Sequence, residues 1–470
     1  VPPTLALFLG FALAAYSILR AARSEGGFPL ALLWPSLWYM ICSSRPFGSW
    51  MMEWGIRLPL ISDLGGEGSP MDQFFYLSVT FLGWRVLLRR SFSFAALFRE
   101  NRWPALLLML MATSILWSDY PFTSFKRYIK VIGALTMALV VLTDERPYKA
   151  IQTVLRTCLY LHLPLSIICI KYFRHIGVEY SYMGTSNFWQ GIATSKNTMG
   201  QVAMLGTVYF AWDLFQNWRT RGWRHLNTLY LLMGVYLLKG SNHGVSKTSI
   251  LVALLAVSIL LVLHLLRQKP ELLHRFTRLA LFGGLSVVVL IVTHSIVAFT
   301  DDSLLGTLVK LFGRDITLTD RLYIWQDMYR MASGNPLFGV GYGGFWIGRQ
   351  VNIPWNTHSW VLGQGHSGYV DTYLQLGIAG WVILTGIILA THRRLVASLG
   401  TDFEFAAWRL SLFLVVLFVN LTETTLLRGD HHLWFIFTAC IWQVPAPATA
   451  PEWEEQPADE EQPEEEPQPQ

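Results

Sequence analysis

Apolar runs of roughly 20 residues recur along the chain, each long enough to cross a hydrocarbon core of about 30 Å as a helix. In lipid every backbone polar group needs a partner inside the protein, so such segments form helices or a closed barrel. Barrel strands would be short and alternating, which these runs are not. Charged residues make up 14% of the 470-residue chain, against about 25% for a soluble domain. The sequence therefore predicts an all-α polytopic membrane protein of about 12–13 transmembrane helices. The expected spans are roughly 5–19, 28–44, 71–88, 103–118, 128–143, 152–170, 198–215, 226–239, 248–266, 277–299, 368–390, 405–421 and 432–444.

These spans imply ten helices over 1–299, a large polar loop over 300–367, three helices over 368–444 and a tail over 445–470. The first span lacks a basic start and a cleavage site, so it reads as a span and not as a removable signal. The tail is rich in Pro, Glu and Gln, and its last twenty residues hold nine acids and no base. It has too little apolar surface to fold and is expected to be disordered. Cys42, Cys158, Cys169 and Cys440 lie in or beside apolar runs without CxxC spacing. They are expected as buried small hydrophobes.

Basic residues orient the spans. Arg20 and Arg23, the arginines from Arg85 to Arg102, Arg219 to Arg224, Arg267 to Arg278, and Arg393 with Arg394 follow alternate spans. They mark one side, the cytoplasm. The loop at 300–367 and the shorter ones at 119–127, 171–197, 240–247 and 422–431 then face the opposite side. Those outer loops carry Arg127, Lys196, Lys247, Arg321 and Arg428 among other cations. Cations set against the positive-inside trend call for a reason, and an anionic ligand is one.

The polar loop holds most of the candidate chemistry. Thr319 or Asp320 can cap a helix running to about Ser333, with Arg321, Trp325 and Met328 on one face. That pattern suits an amphipathic helix lying on the membrane with Arg321 solvated. It also suits an arginine held by a packed tryptophan face and aimed at phosphate, which its planar fork binds bidentately. Gly339-Val340-Gly341-Tyr342-Gly343-Gly344 resembles a dinucleotide fingerprint only superficially, because no βαβ strand precedes it. Close backbone approach explains its glycines better. His366-Ser367 stands where the loop re-enters the membrane, and an imidazole can accept a proton near neutral pH. His358-Ser359 repeats the dipeptide. A hydrolase triad of Ser367, His366 and Asp371 would lack a nucleophile elbow. Lys196 opens the seventh span and Lys247 the ninth. Each either snorkels or converges with Arg127 on one anionic group. No cofactor, metal or nucleic-acid partner is expected, since no HExxH, Asp-rich or paired-Cys pattern occurs.

In these blocks the chain resembles the O-antigen ligase and polymerase superfamily, in its exopolysaccharide-production branch. The resemblance rests on Arg321 to Trp325, on Asn335-Pro336-Leu337-Phe338-Gly339-Val340-Gly341, and on His366-Ser367 followed by Gly377 and Gly380. Lys196-Asn197, Ser246-Lys247-Thr248-Ser249 and Ser114-Ile115-Leu116-Trp117-Ser118-Asp119 look like further blocks of that branch. The resemblance implies a C-type membrane glycosyltransferase fold and a donor glycan on undecaprenyl diphosphate. It also implies a glycan or lipid A core acceptor, membrane lipids and other polysaccharide-assembly proteins as partners, and metal-independent chemistry at the periplasmic face of the inner membrane. His366 is then the expected base, with Arg321, Lys247, Lys196 and Arg127 on the diphosphate. Two departures stand out. Gln375 lies where many relatives carry an acid, which leaves His366 without an obvious acidic helper. Trp381 replaces the small residue or Tyr common in ligases, which tilts the expectation towards a polymerase. The rival classes are a polysaccharide or lipid transporter, for which no internal repeat is visible, and a non-catalytic assembly scaffold.

Overall fold

In a computed structural model, residues 2–56, 68–90, 93–180, 187–218, 221–241, 244–296, 321–347 and 363–445 are described. Each of the thirteen expected spans is a helix: α1 (Pro3–Ser24), α2 (Leu33–Ser43), α3 (Pro70–Leu87), α4 (Arg102–Ser114), α5 (Pro121–Leu142), α6 (Pro147–Tyr172), α7 (Lys196–Asn217), α8 (Arg221–Lys239), α9 (Lys247–Leu266), α10 (Pro270–Ile296), α12 (Gly368–Ser398), α13 (Phe403–Val419) and α14 (His432–Ile441). The polar loop contributes α11 (Arg321–Ala332). The strands β1 (Val178–Tyr180) and β2 (Asn187–Trp189) form a small antiparallel hairpin. By length and composition α1, α6, α9 and α12 can each cross a membrane, and α2, α4 and α14 belong to shorter apolar helices. The protein is an all-α, multi-pass membrane protein. Its expected tail lies outside the described residues.

Helix ends are set locally. Pro opens α1, α3, α5 and α6 at the first turn, where its missing N–H costs nothing. Ser69 caps α3 in a capping box with Asp72, and Ser195 caps α7 by accepting from the Thr198 amide. The core is formed by α5, α6, α7, α13 and α14, where Met137, Tyr160, Phe210, Phe413 and Phe435 are fully buried. All four cysteines are free and buried, as expected.

Contacts divide the two ends of the bundle as the charge pattern predicts. At one end Arg20 donates to the Gly222 carbonyl, Arg156 pairs with Glu25 at 2.6 Å and Arg90 with Asp144 at 3.2 Å. At the other end, the C-terminal ends of α2, α4 and α13 meet the N-terminal ends of α3, α5, α7, α12 and α14 around a polar cleft.

The helix that shapes this cleft is α12. It is two helical segments joined at Gly377, whose φ of 63° and ψ of −158° are not helical. The bend is sharp: the Trp381 indole donates to the Tyr369 carbonyl at 2.7 Å, across twelve residues that a straight helix would spread over about 18 Å. The broken turn frees backbone groups that must be satisfied. The segment 336–341 satisfies them. Val340 and Gly341 amides donate to the Leu374 and Gln375 carbonyls, and Ile378 and Ala379 amides donate to the Pro336 and Leu337 carbonyls, all at 2.9–3.0 Å. The Gly-rich segment is thus a backbone clamp on a broken helix, which accounts for its glycines.

The structure corrects the picture of α11 as a surface helix. Trp325 is 1% exposed and Met328 0%, and both pack with Phe345, Val370 and Leu374. The Trp325 indole donates to the Gly365 carbonyl at 2.6 Å.

Candidate active site

His366 sits at the junction of loop and membrane helix and is held from both sides. Its φ is +50°, a left-handed conformation costing a non-glycine residue about 1–3 kcal/mol and seen at functional sites where the surroundings enforce it. Here they do. On the N-terminal side, the Gly365 carbonyl is fixed by Trp325 and its amide by Asp371 at 3.1–3.2 Å. On the C-terminal side, the Gly368 amide donates to the Asn420 and Glu423 carbonyls at 3.0 and 3.1 Å. A Cβ on Gly368 would overlap the Asn420 side chain, so only glycine permits this approach. Asn420 in turn organises its own loop by accepting from the Thr425 and Leu426 amides.

This clamp brings Glu423 to the histidine. Glu423 Oε2 lies 3.8 Å from His366 Nδ1, and Glu423 Oε1 accepts from the Asn197 amide at 2.9 Å. The acidic partner that Gln375 could not supply therefore comes from another loop. Gln375 has a structural task instead: its Oε1 accepts from the Gly343 amide at 2.8 Å. A Ser-His-Asp triad does not form. Ser367 is a buried helix cap, and Asp371 is engaged with Gly365 and the Trp346 indole.

Beside this pair opens a cavity of about 430 Å³. Arg127 and Lys130 from α5 and Arg428 from the loop before α14 line it, with Asp430 between them. Lys130 Nζ pairs with Asp430 at 3.1 Å. Burial alone would push the Asp430 carboxyl up, but Lys130, Arg428 and Arg127 outweigh it and hold it well below the usual carboxylate range. Arg127 also donates to the Gly343 carbonyl at 2.6 Å, which ties the glycine segment to the cavity wall. Asp72 lines the cavity as well, yet its carboxylate is spent on Ser69 and the Gly48 amide. The cavity wall thus holds three cations, Arg127, Lys130 and Arg428, and three carboxylates, Asp72, Asp371 and Asp430. The N-terminal turns of α3, α5 and α12 add partial positive charge, and the guanidinium and ammonium donors suit the oxygens of an anion.

The expected site residues fall into three groups. Arg127 lines the cavity wall, whereas His366 is not among the lining residues and lies beside Gln364, which is, and beside Glu423. Lys247 and Lys196 are not among the lining residues: Lys247 is exposed at the start of α9, and Lys196 lies 4.1 Å above the Phe188 ring. The side chain of Arg321 and the whole of His358 lie outside the described residues.

Lys130, Glu423 and Asp430 were missed by the sequence reading, and Arg428 was noted only as an outer cation. A signal existed for two of them. Lys130 is a cation inside an apolar span, and Arg428-Gly429-Asp430-His431-His432 is a dense polar run between two spans. Burial, with His432 and Arg428 beside it, pushes His431 well below the usual imidazole range, so it stays neutral.

Comparison with known proteins gives two matches. Residues 229–385 match the O-antigen ligase family. The chain is also 25% identical over 286 residues to the exopolysaccharide production protein ExoQ of Rhizobium meliloti. That match covers 59% of this chain, and the chain spans about three fifths, 61%, of the relative's length. No solved structure matches the chain. The family match covers α9, α11 and the His366 junction, and with the ExoQ likeness it supports the O-antigen ligase/polymerase superfamily.

Proposed function

We propose that this protein is a membrane glycosyltransferase that transfers or polymerises an undecaprenyl-diphosphate-linked glycan at the outer face of the bacterial inner membrane, for surface polysaccharide. The observation that carries the reading is a cavity walled by Arg127, Lys130 and Arg428 that includes Gln364 and Thr424, the neighbours of the His366–Glu423 pair. A hydroxyl of the acceptor sugar attacks the anomeric carbon of the donor. The bond from that carbon to the diphosphate oxygen breaks, and undecaprenyl diphosphate leaves with the bonding electrons. His366 takes the attacking hydroxyl's proton, and Glu423 stabilises the imidazolium that forms. The fixed cations stabilise charge growing on the diphosphate without reorganising. A single displacement inverts the anomeric centre. Arg321, one helical turn before Trp325, is a further diphosphate contact in this scheme. Lys196 and Lys247 fit it less well than Lys130 and Arg428 do.

The exopolysaccharide relative favours a growing glycan as acceptor, and the ligase family match favours lipid A core. Both use the same chemistry. The test is a deletion strain complemented with wild type or His366→Ala at matched membrane levels, together with purified protein given lipid-linked repeat units. Wild type should restore long-chain polysaccharide and extend or transfer the glycan in vitro, and His366→Ala should do neither. Movement of lipid-linked glycan across proteoliposomes with no new glycosidic bond would establish a transporter instead.

A further inference from the structure

A second, smaller chamber of about 220 Å³ adjoins the cationic cavity. The two share Pro46, Tyr76, Gln364, Thr424, Arg428 and Asp430 as a common wall. Their other linings differ in kind. Arg127 and Lys130 line only the larger cavity. The smaller one is lined by amides and hydroxyls, including Ser44, Thr194, Asn197, Thr198 and Gln201, and by the Glu423 carboxylate. One of its polar side chains is left over by the fold: among the described residues Gln201 Oε1 has no hydrogen-bond partner, although Gln201 is 3% exposed, whereas the Thr424 hydroxyl faces the Asp371 carboxylate. Buried polar atoms are paired as a rule, and an orphan marks a missing ligand or water.

We propose that this chamber is the acceptor subsite and takes a neutral sugar ring of the acceptor glycan, with Gln201 Oε1 accepting from one of its hydroxyls. The inference rests on the glycosyltransferase reading above. In an in-line displacement the attacking and leaving oxygens lie on opposite sides of the anomeric carbon. The leaving diphosphate belongs with Arg127 and Lys130 in the larger cavity. Glu423, which approaches His366 and so marks the base, lines only the smaller chamber. The attacking hydroxyl therefore enters from the smaller one. Amide and hydroxyl groups suit a sugar, which offers both donors and acceptors, and do not suit a second phosphate beside a carboxylate.

The test uses the full-length protein in detergent and, as probe, the lipid-free oligosaccharide repeat released from the producing strain's own polymer. Saturation-transfer NMR without donor reads binding directly, and transfer kinetics read KM for acceptor and donor separately. Gln201→Leu should weaken oligosaccharide binding and raise the acceptor KM by about tenfold, the value of one neutral hydrogen bond. The donor KM and kcat should hold. Gln201→Met, which keeps the side-chain length, carries the test where Gln201→Leu fails to fold. Unchanged oligosaccharide binding in a folded variant overturns the proposal, as does a rise in donor KM alone. Absence of turnover in wild type refutes the glycosyltransferase reading instead, and the binding measurement still decides whether the chamber takes a sugar.

Discussion

Gly377→Ala should uncouple the catalytic loop from the bundle while leaving the rest of the helices in place. Gly377 has φ 63° and ψ −158°, a conformation costing any other residue about 1–3 kcal/mol. A Cβ there would overlap the Leu337 carbonyl and come within 2.6 Å of the Phe338 nitrogen. Both are backbone atoms, so no side-chain rotation relieves the clash. The clamped segment must retreat, and the bonds it makes to Leu374, Gln375, Ile378 and Ala379 weaken. Strain plus the loss of two such bonds, at about 0.5–1.5 kcal/mol each, gives about 2–6 kcal/mol. Even the lower figure is about a thirtyfold loss of the docked arrangement. Retreat also pulls the Gly343 carbonyl from Arg127 and the Gly343 amide from Gln375. The assay is polymer yield at matched membrane expression, with thermal unfolding of the purified protein followed by tryptophan fluorescence. Gly334→Ala is the matched control, because a Cβ there meets nothing within 4 Å. Wild-type polymer and wild-type unfolding temperature in Gly377→Ala would refute the clamp.

Other expectations follow from the same geometry. His366→Ala should lower transfer by about 10²–10⁴-fold, the usual worth of general-base help, whereas His358→Ala should act much more weakly. A dead His358→Ala beside an active His366→Ala would assign the base to the other histidine. Arg321→Lys should rescue poorly and Arg321→Ala not at all, a cost of about 2–4 kcal/mol in transition-state stabilisation; full activity in the alanine variant would leave Arg321 without a role in catalysis. Transfer by purified protein should persist in excess EDTA, and loss restored by Mg²⁺ or Mn²⁺ would defeat charge stabilisation by side chains alone. Asp430 has a depressed folded-state pKa. Its contribution to stability is therefore present above the unfolded carboxyl value of about 3.9 and lost as pH falls through the folded value. Lys130→Met removes the strongest depressing charge, so the acid limb of a thermal-stability profile should move to higher pH. An unmoved limb would show that Lys130 does not hold Asp430 ionised.

Apolar periodicity located thirteen of the helices among the described residues, because the demand for internal hydrogen bonding in lipid leaves a long apolar run few other structures. The division of charge grouped the helix ends correctly, because alternation along the chain follows from counting alone. Order and spacing of the glycine and histidine blocks carried the family. The roles of those blocks were less legible. Trp325 looked like one face of a surface helix, and its burial depended on Phe345, Val370 and Leu374 arriving from elsewhere. Asp371 looked available to His366 five residues before it, yet the Gly365 amide and the Trp346 indole take up its carboxylate.

What the sequence determined by itself was local and periodic: the helix positions and the burial of the four cysteines. What only the tertiary structure decided was which helix ends meet. Lys130 and Asp430 are 300 residues apart and Asn197 and Glu423 are 226 apart. No spacing rule reaches across such distances, because these contacts depend on how α5, α7 and α14 pack in three dimensions. The same packing brings Glu423 to His366 and leaves Lys247 outside the cavity wall, although both lysine blocks stood at equally suitable helix ends in the sequence.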